Sequence, residues 1–330
     1  MTGTKWSDGI RNPARVLLEV SELLRAGRLG NDVAVTCLGR RDGVGQQARS
    51  VISAMNYAYA AGCSYLHSPF RDIEHAEGDR EEWTRRWESF LNLAAGERIL
   101  QDDAVLVTPW DVAASPETYA GRSIVIYSHE FVALGSARPR SELRAKYWQS
   151  PKDGILLHRG PPGTLTAAVH VRRGDVTPSN YGHLYVADEV ILSTIAQLRD
   201  VTEKLRQPLH INVYSEGPPE MFRAFAAAGC RLHLDTDPFE AFHNLVTADI
   251  LLPAPSGFSR TAAMLSEAIL IHGMEPPPDR SRFVMRHGDG SFSRKKLRKA
   301  MWPALSWRAK MAFKMGRFWR QHVPFRGRSA

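Results

Sequence analysis

Residues 170–175 read HVRRGD, which places a histidine and two arginines directly after the short apolar run TAAV. This run is typical of a buried strand, and side chains on a strand alternate between its two faces. His170 and Arg172 should therefore project together at the strand's carboxyl end, where open α/β sheets bind ligands. A guanidinium donates two parallel hydrogen bonds and stays charged, which suits a diphosphate. The spacing predicts an anion site.

A plain surface turn is the alternative for the same residues. Gly174 lets the chain turn because it has no Cβ, and Asp175 is expected to orient Arg173 or to cap the loop. In this alternative the arginines pair with Asp175 and bind no ligand. The strand before the motif favours the anion site, which requires a strand that ends here.

Strands and helices are predicted to alternate along the whole chain, and these elements must position the motif. In the first half, strand-like runs lie at 31–38, 63–70, 103–108 and 123–130. In the second half we predict strands at 166–171, 209–215, 231–235 and 248–253 and helices near 188–206, 218–228, 238–246 and 258–272. Such alternation predicts an α/β fold with mostly parallel sheets.

The length of 330 residues and the hydrophobic content of 43% suffice for two cores. The Pro-rich segment around 151–162 is typical of a linker. We therefore predict two Rossmann-like lobes, 1–160 and 161–285, with a cleft between them, followed by a tail at 286–330.

The HVRRGD segment resembles the signature of the α-1,2-, α-1,6- and protein O-fucosyltransferase superfamily, whose members are inverting enzymes of GT-B-like fold. Three further segments resemble this family in the same order. The turn at 43–47, GVGQQ, resembles its early Gly-rich turn, with Gln46 in place of Asn. The strand end at 213–216 takes the place of its middle motif, and 248–267 resembles its third motif. The resemblance spans the core and omits the tail.

The resemblance implies that Arg172 binds the β-phosphate of GDP-fucose and stabilises the departing diphosphate. It implies that Arg173 adds a second positive charge and that His170 contacts the nucleotide. The donor-binding set predicted from the resemblance and the strand ends is His170, Asp175, Gly43, Gly45, Gln47, Ser215, Glu240, Ser256, Gly257, Phe258 and Ser259. Gly257 departs from the family, which has a second serine there, and this removes one hydroxyl contact. The turn at 43–47 equally fits an ordinary strand-to-helix connection.

A general base is needed to deprotonate the acceptor hydroxyl, and several side chains at predicted strand ends could serve. The candidates are His67, Glu74, His75 and Glu130, each of which also fits an ordinary polar role.

Asp235 and Asp237 have the spacing of a DxD metal motif, but Asp237, Pro238 and Glu240 also fit a helix start. We favour the helix start, and we predict no metal and no cofactor beyond the donor substrate, because two arginines can neutralise the diphosphate.

The C-terminal stretch carries the net charge of +8. Residues 291–330 contain 12 Lys or Arg and no Asp or Glu, interleaved with Trp, Phe and Met. This composition is typical of an amphipathic helix on an anionic membrane. Nucleic-acid binding and a solvated tail that packs on the body are the alternatives.

No secretory signal or long apolar run is evident, and Cys37, Cys63 and Cys230 fit buried thiols, so we expect a cytoplasmic protein, peripheral at the inner membrane face. The sequence thus predicts a metal-independent glycosyltransferase that uses GDP-fucose and a glycan or glycolipid acceptor. A GT-B transferase with another nucleotide sugar, and a non-catalytic protein that binds membrane or nucleic acid, are the alternatives.

Overall fold

A computed structural model of the chain describes residues 12–273 and 281–304. The chain divides between Asp153 and Gly154 into two compact units, which we call unit 1 and unit 2. The predicted boundary after residue 160 lies seven residues further on. Each unit contains one parallel sheet with helices, so the predicted α/β class with two Rossmann-like lobes is confirmed.

Unit 1 contains a five-stranded parallel sheet of order β3-β2-β1-β5-β4. Its strands are β1 (Val33–Cys37), β2 (Ser64–His67), β3 (Arg98–Ile99), β4 (Leu106–Val107) and β5 (Ile124–Ser128). Its helices are α1 (Pro13–Arg25), α2 (Val44–Ala61), α3 (Arg80–Leu91), α4 (Pro109–Ala114), α5 (Pro116–Tyr119) and α6 (Arg140–Gln149). Every residue of β1 is buried, as expected for a central strand covered on both faces.

Unit 2 contains a six-stranded parallel sheet of order β11-β10-β9-β6-β7-β8. Its strands are β6 (Leu165–His170), β7 (Leu209–Ser215), β8 (Arg231–Leu234), β9 (Ile250–Leu252), β10 (Ile269–His272) and β11 (Phe283–Met285). Its helices are α7 (Asp188–Lys204), α8 (Arg223–Ala227), α9 (Pro238–Thr247), α10 (Gly257–Leu265) and α11 (Arg294–Met301), with 3-10 turns at Gly182–Leu184, Pro219–Phe222 and Trp302–Ala304. Counted within the unit, this order is 3-2-1-4-5-6 read from the other edge, as in Rossmann folds.

The core of unit 2 follows from strand alternation. Val169 of β6 and Val213 of β7 belong to the main apolar cluster, together with Ile195 of α7. Tyr214 is buried but absent from this cluster, because alternate side chains point to opposite faces of the sheet. His170 is the register partner of Tyr214 and lies on the same face. The face that carries the motif histidine is therefore a different one from the face packed by α7.

The helix predicted near 258–272 is wrong in its second half. Helix α10 ends at Leu265, and Ile269–His272 form the buried strand β10 between β9 and β11. A four-residue apolar run fits either element by periodicity alone, and here pairing with β9 decides for a strand. Strand β11 was not predicted, and the strand predicted at 103–108 is reduced to Leu106–Val107.

A separate tail was predicted at 286–330, and this prediction is wrong for residues 286–304. Phe292, Leu297 and Met301 are buried in the core of unit 2, so the chain up to residue 304 belongs to that unit. Residues 305–330 lie outside the described residues. Within the described ranges no helix is long and apolar enough to cross a membrane. Cys37 and Cys230 are buried thiols and Cys63 is half-buried.

Candidate functional site

The connections of the unit 2 sheet diverge between β6 and β9. The chain continues from β6 to β7 on one side and from β9 to β10 on the other. A crevice forms at such a divergence, beyond the carboxyl ends of the strands, and it is where open α/β sheets bind ligands. A small depression lies here. It is lined by residues 169–173 after β6, 252–255 after β9, Leu184, Val186, Ile191 and Arg286.

Arg172 is held at this depression by Asp175. Its Nε lies 3.1 Å from Asp175 Oδ1 and its Nη2 lies 2.6 Å from Oδ2, which is a bidentate pair. Asp175 therefore orients Arg172, and not Arg173, for which this role was predicted as an alternative to a cap of the loop. The Arg172 side chain stays 28% exposed, and its Nη1 takes no part in the pair, so the guanidinium has donors left for an anion.

Arg173 is turned into the loop that follows the motif. Its residue is 6% exposed, and its guanidinium donates to the carbonyls of Arg172 at 2.8 Å and Val186 at 3.0 Å and pairs with Asp188. The ring of Tyr185 lies 4.3 Å from the guanidinium carbon. These contacts hold the connection to α7, so Arg173 supports the loop and does not present the second free charge that was predicted.

Gly174 takes a left-handed conformation, with φ +71°, as its predicted turn role requires. A Cβ at this position would lie 2.7 Å from Glu216 Oε2. The positive φ therefore requires glycine between the arginines and Asp175, while the Glu216 carboxylate, at the end of a flexible side chain, could move aside.

His170 ends β6 and lies beside Phe258, with ring centroids 5.8 Å apart. Its Nδ1 atom is inaccessible to solvent and has no hydrogen-bond partner among the described residues. Burial, followed by the charge of Arg172, lowers the pKa of His170 to about 4. The imidazole is therefore neutral at pH 7 and can accept or donate one hydrogen bond to a ligand.

The hydroxyl groups predicted to bind phosphate are used within the protein. Ser256 is the N-cap of α10 and accepts from the Phe258 backbone N–H at 3.2 Å. Ser259 donates to the carbonyl of Ala254 at 3.2 Å and is fully buried. The contribution of this loop is therefore the N-terminus of α10, with Gly257 in its first turn, which favours an anion through the helix dipole.

Arg286 is a site residue that was not predicted, because it follows the unpredicted strand β11. Arg286 is 8% exposed and lines the same depression. Burial lowers the pKa of Arg286 from its usual value. Among the described residues, no carboxylate counteracts this shift. His272, at the end of β10, lies beside Arg286. Burial, followed by the charges of Arg286 and Arg260, lowers the pKa of His272 to about 4. Arg286 is therefore a buried cation in the lining of the depression, in addition to Arg172 and Arg173.

Two predicted donor residues of unit 2 have other partners. Ser215 donates to the carbonyl of Val171 at 2.6 Å, which ties β7 to the motif. Glu240 lies with its Oε1 3.2 Å from Nε2 of His158, and it does not line the depression. Asp237 accepts from the N–H groups of Phe239 and Glu240 at 2.8 and 3.1 Å, which confirms the helix start.

A stacked pair of buried histidines was also missed. The rings of His158 and His233 are 3.7 Å apart and nearly parallel. His158 Nδ1 lies 3.0 Å from the hydroxyl of Tyr214, and His233 Nε2 lies 2.9 Å from Asn212. His158 precedes β6 in an irregular segment, and no local pattern marks it as buried.

In unit 1, the Gly-rich turn forms the start of α2. Gly43 is its N-cap and provides no capping side chain, and Gly45 is buried in the first turn. Gln47 bonds to the Asp42 carbonyl at 2.9 Å and to the Arg71 carbonyl and N–H at 2.8 and 3.1 Å. All three bonds are internal, so the Gln47 amide braces the loop and is not available for the donor contact predicted for it.

The candidate bases of unit 1 differ in their surroundings. His67 is fully buried, with Nε2 2.7 Å from Glu88 and Nδ1 3.2 Å from the Tyr65 hydroxyl, so it is a structural residue.

Glu130 pairs with Arg49 at 2.6 Å and with Arg40 at 3.3 Å, so both of its carboxylate oxygens have cationic partners. Glu74 and His75 are exposed in the connection between β2 and α3.

Comparisons with known proteins name no family for this chain. No family model matches it, and no curated protein matches it. A solved N-acetyl-L-ornithine transcarbamylase complexed with PALAO is 14% identical, over 91% of this chain and 97% of that chain, with a TM-score of 0.23. Ornithine carbamoyltransferase from Burkholderia thailandensis is 12% identical, over 88% and 93%, with a TM-score of 0.21. Such low scores carry no argument, and the α/β class rests on the two parallel sheets themselves.

Proposed function

We propose that this protein is an inverting glycosyltransferase that transfers fucose from GDP-fucose to a hydroxyl group of a glycan or glycolipid. The observation that carries the proposal is the Arg172–Asp175 pair at the point where the connections of the unit 2 sheet diverge, with Arg286 on the same depression. A bidentate guanidinium, a second cation and a helix N-terminus together suit a diphosphate.

In the proposed reaction the acceptor oxygen attacks the anomeric carbon, and the bond from that carbon to the β-phosphate oxygen breaks. Negative charge develops on the departing GDP, and Arg172 and Arg286 stabilise it electrostatically. The acceptor proton passes to a base, which we leave unassigned. Two guanidinium groups neutralise the diphosphate, so the proposed mechanism requires no metal. His170, being neutral, is proposed to contact the guanine or ribose through a hydrogen bond.

The proposal includes a cytoplasmic location at the inner face of a membrane, where lipid-linked acceptors are assembled. A donor other than GDP-fucose remains compatible with the arginine contacts, because these contacts do not recognise the sugar.

Thermal unfolding with ligands tests the proposal, because a ligand that binds the folded state raises the melting temperature. GDP, GDP-fucose, GDP-mannose, UDP and UDP-glucose are compared in the presence of EDTA. We expect a shift with GDP and GDP-fucose that Arg172→Ala removes and Arg223→Ala retains, since Arg223 is exposed on α8. A shift with UDP compounds alone would change the donor. No shift with any nucleotide would favour a non-catalytic binding protein.

A further inference from the structure

Helix α11 combines a buried apolar side with a dense positive charge. Leu297 and Met301 lie in the core of unit 2, at 0% and 1% exposure, and fix the helix to the unit. The remaining surface, here called the basic face, consists of Arg294, Lys295, Lys296, Arg298 and Lys299. Four of these residues are exposed and Arg298 is half-buried. The helix is therefore held in place while it presents cations to solvent.

Three of these five charges oppose helix formation, whereas Arg298 and Lys299 lie in the last turn, where cations are favourable. Arg294, Lys295 and Lys296 occupy the first turn, which contains no acidic residue. The free N–H groups of a first turn create a positive potential, so cations are unfavourable there and carboxylates are favourable. Lys295 and Lys299 are in addition four residues apart, where like charges repel each other. Arg294 pairs with Asp200 at 2.9 Å, but Lys204 binds the same carboxylate at 2.6 Å.

The N-cap shows the same conflict. Ser293 caps the helix and accepts from the Lys296 backbone N–H at 3.3 Å. A Glu or Gln at 296 would complete a capping box, because its side chain could reach back to the N-cap N–H. Lysine at this position forgoes that stabilisation. Lys296 Nζ lies 5.6 Å from the centroid of the Phe283 ring, and this cation–π contact offsets part of that loss. It does not account for three cations in one turn.

We propose that the basic face binds the anionic headgroups of a phospholipid membrane. The contact is electrostatic and α11 stays on the membrane surface, because its apolar side is already buried in unit 2. A membrane is favoured over nucleic acid by the sequence that follows. Residues 302–319 alternate Trp and Phe with Lys and Arg, a composition typical of segments at lipid interfaces. The proposal is independent of the nucleotide-sugar site.

Co-sedimentation of the full chain with vesicles tests the proposal. Vesicles of phosphatidylcholine alone are compared with vesicles that also contain phosphatidylglycerol. One lysine near an anionic surface contributes about 1 kcal/mol, so Lys296→Gln should weaken binding about 5-fold and Lys296→Glu about 30-fold. Both substitutions complete the capping box but remove the cation–π contact with Phe283, so the melting temperature should change little. The melting temperature of each variant is measured so that a loss of binding can be separated from unfolding. Arg122→Glu, on the exposed surface of unit 1, is the charge-matched control and should bind like the unaltered chain.

Three outcomes would overturn the proposal. The first is equal binding of the chain to neutral and anionic vesicles. The second is equal binding of Lys296→Glu and the unaltered chain to anionic vesicles. The third is binding to duplex DNA or RNA, weakened by Lys296→Glu, without binding to anionic vesicles, which would assign the basic face to nucleic acid.

Discussion

The guanidinium of Arg172 and the carboxylate of Asp175 form a bidentate pair, with nitrogen-to-oxygen distances of 3.1 and 2.6 Å. The pair fixes the plane of the guanidinium at the crevice while its Nη1 takes no part. An arginine that is already oriented in this way loses little conformational entropy when a ligand binds.

Replacing Arg172 should remove turnover and leave the fold intact. Arg172→Ala should lower kcat at least about 100-fold, the usual effect of removing one donor to a developing charge. Its melting temperature should change little, because the side chain is partly exposed and its pair with Asp175 is a surface pair. Arg172→Lys should also be poor, since an ammonium cannot form the bidentate contact. Release of GDP from GDP-fucose measures the effect. Near-normal activity of Arg172→Ala would refute the proposed role.

Replacing Arg173 should instead lower the stability of the fold. Arg173→Ala leaves two carbonyls and the Asp188 carboxylate without the donor that the buried Arg173 side chain provides. We expect a loss of about 2 to 3 kcal/mol in the free energy of unfolding, measured by urea titration. Arg172→Ala, the neighbouring substitution, serves as the control and should lose less than about 1 kcal/mol. Equal losses for the two variants would contradict the assignment of Arg173 to the loop.

Gly174 is expected to tolerate no side chain. Gly174→Ala should lose about 1 to 2 kcal/mol, because an L-residue is unfavourable at φ +71°, and its Cβ would displace the Glu216 carboxylate. Displacement of the loop should also weaken GDP binding. Gly182→Ala, in the same connection, meets no atom within 4 Å and has no positive φ, so it should be close to neutral. Circular dichroism melts and nucleotide-induced shifts compare the two.

The stability of the protein should depend on pH through its buried histidines. Burial, followed by the neighbouring His158, lowers the pKa of His233 to about 4, below the value of about 6.5 in an unfolded chain. Between these values the unfolded state binds more protons, so stability rises with pH from 4 to 6.5 and is lost as the pH falls through this window.

For one such histidine the change from pH 6.5 to pH 5 is at most about 2 kcal/mol. The free energy of unfolding at the two pH values should differ less in His233→Gln than in the unaltered chain. An equal pH dependence in both would remove His233 as a source of this effect.

The apolar periodicity of the sequence predicted most of the helices and strands. It did not predict the short strands that are defined by pairing with a neighbouring strand. The buried strands β6 and β7 and the capped helix α9 were predicted because apolar spacing and cap residues are local signals. Strand β10 was mistaken for helix, and β11 has three residues, so each is defined by pairing with the adjacent strand. The missed strand β11 also explains why Arg286 was missed.

The sequence by itself determined that His170 and Arg172 lie at a strand end, that Gly174 turns the chain, and that strands and helices alternate through two α/β units. These properties depend on residues a few positions apart, for which backbone geometry and side-chain alternation suffice. Only the tertiary structure decided which arginine pairs with Asp175, that Arg173 and Gln47 are used internally, and that Arg286 reaches the crevice. Those outcomes depend on which groups, distant in the chain, come close enough to hydrogen-bond, and on which charges lose their contact with water.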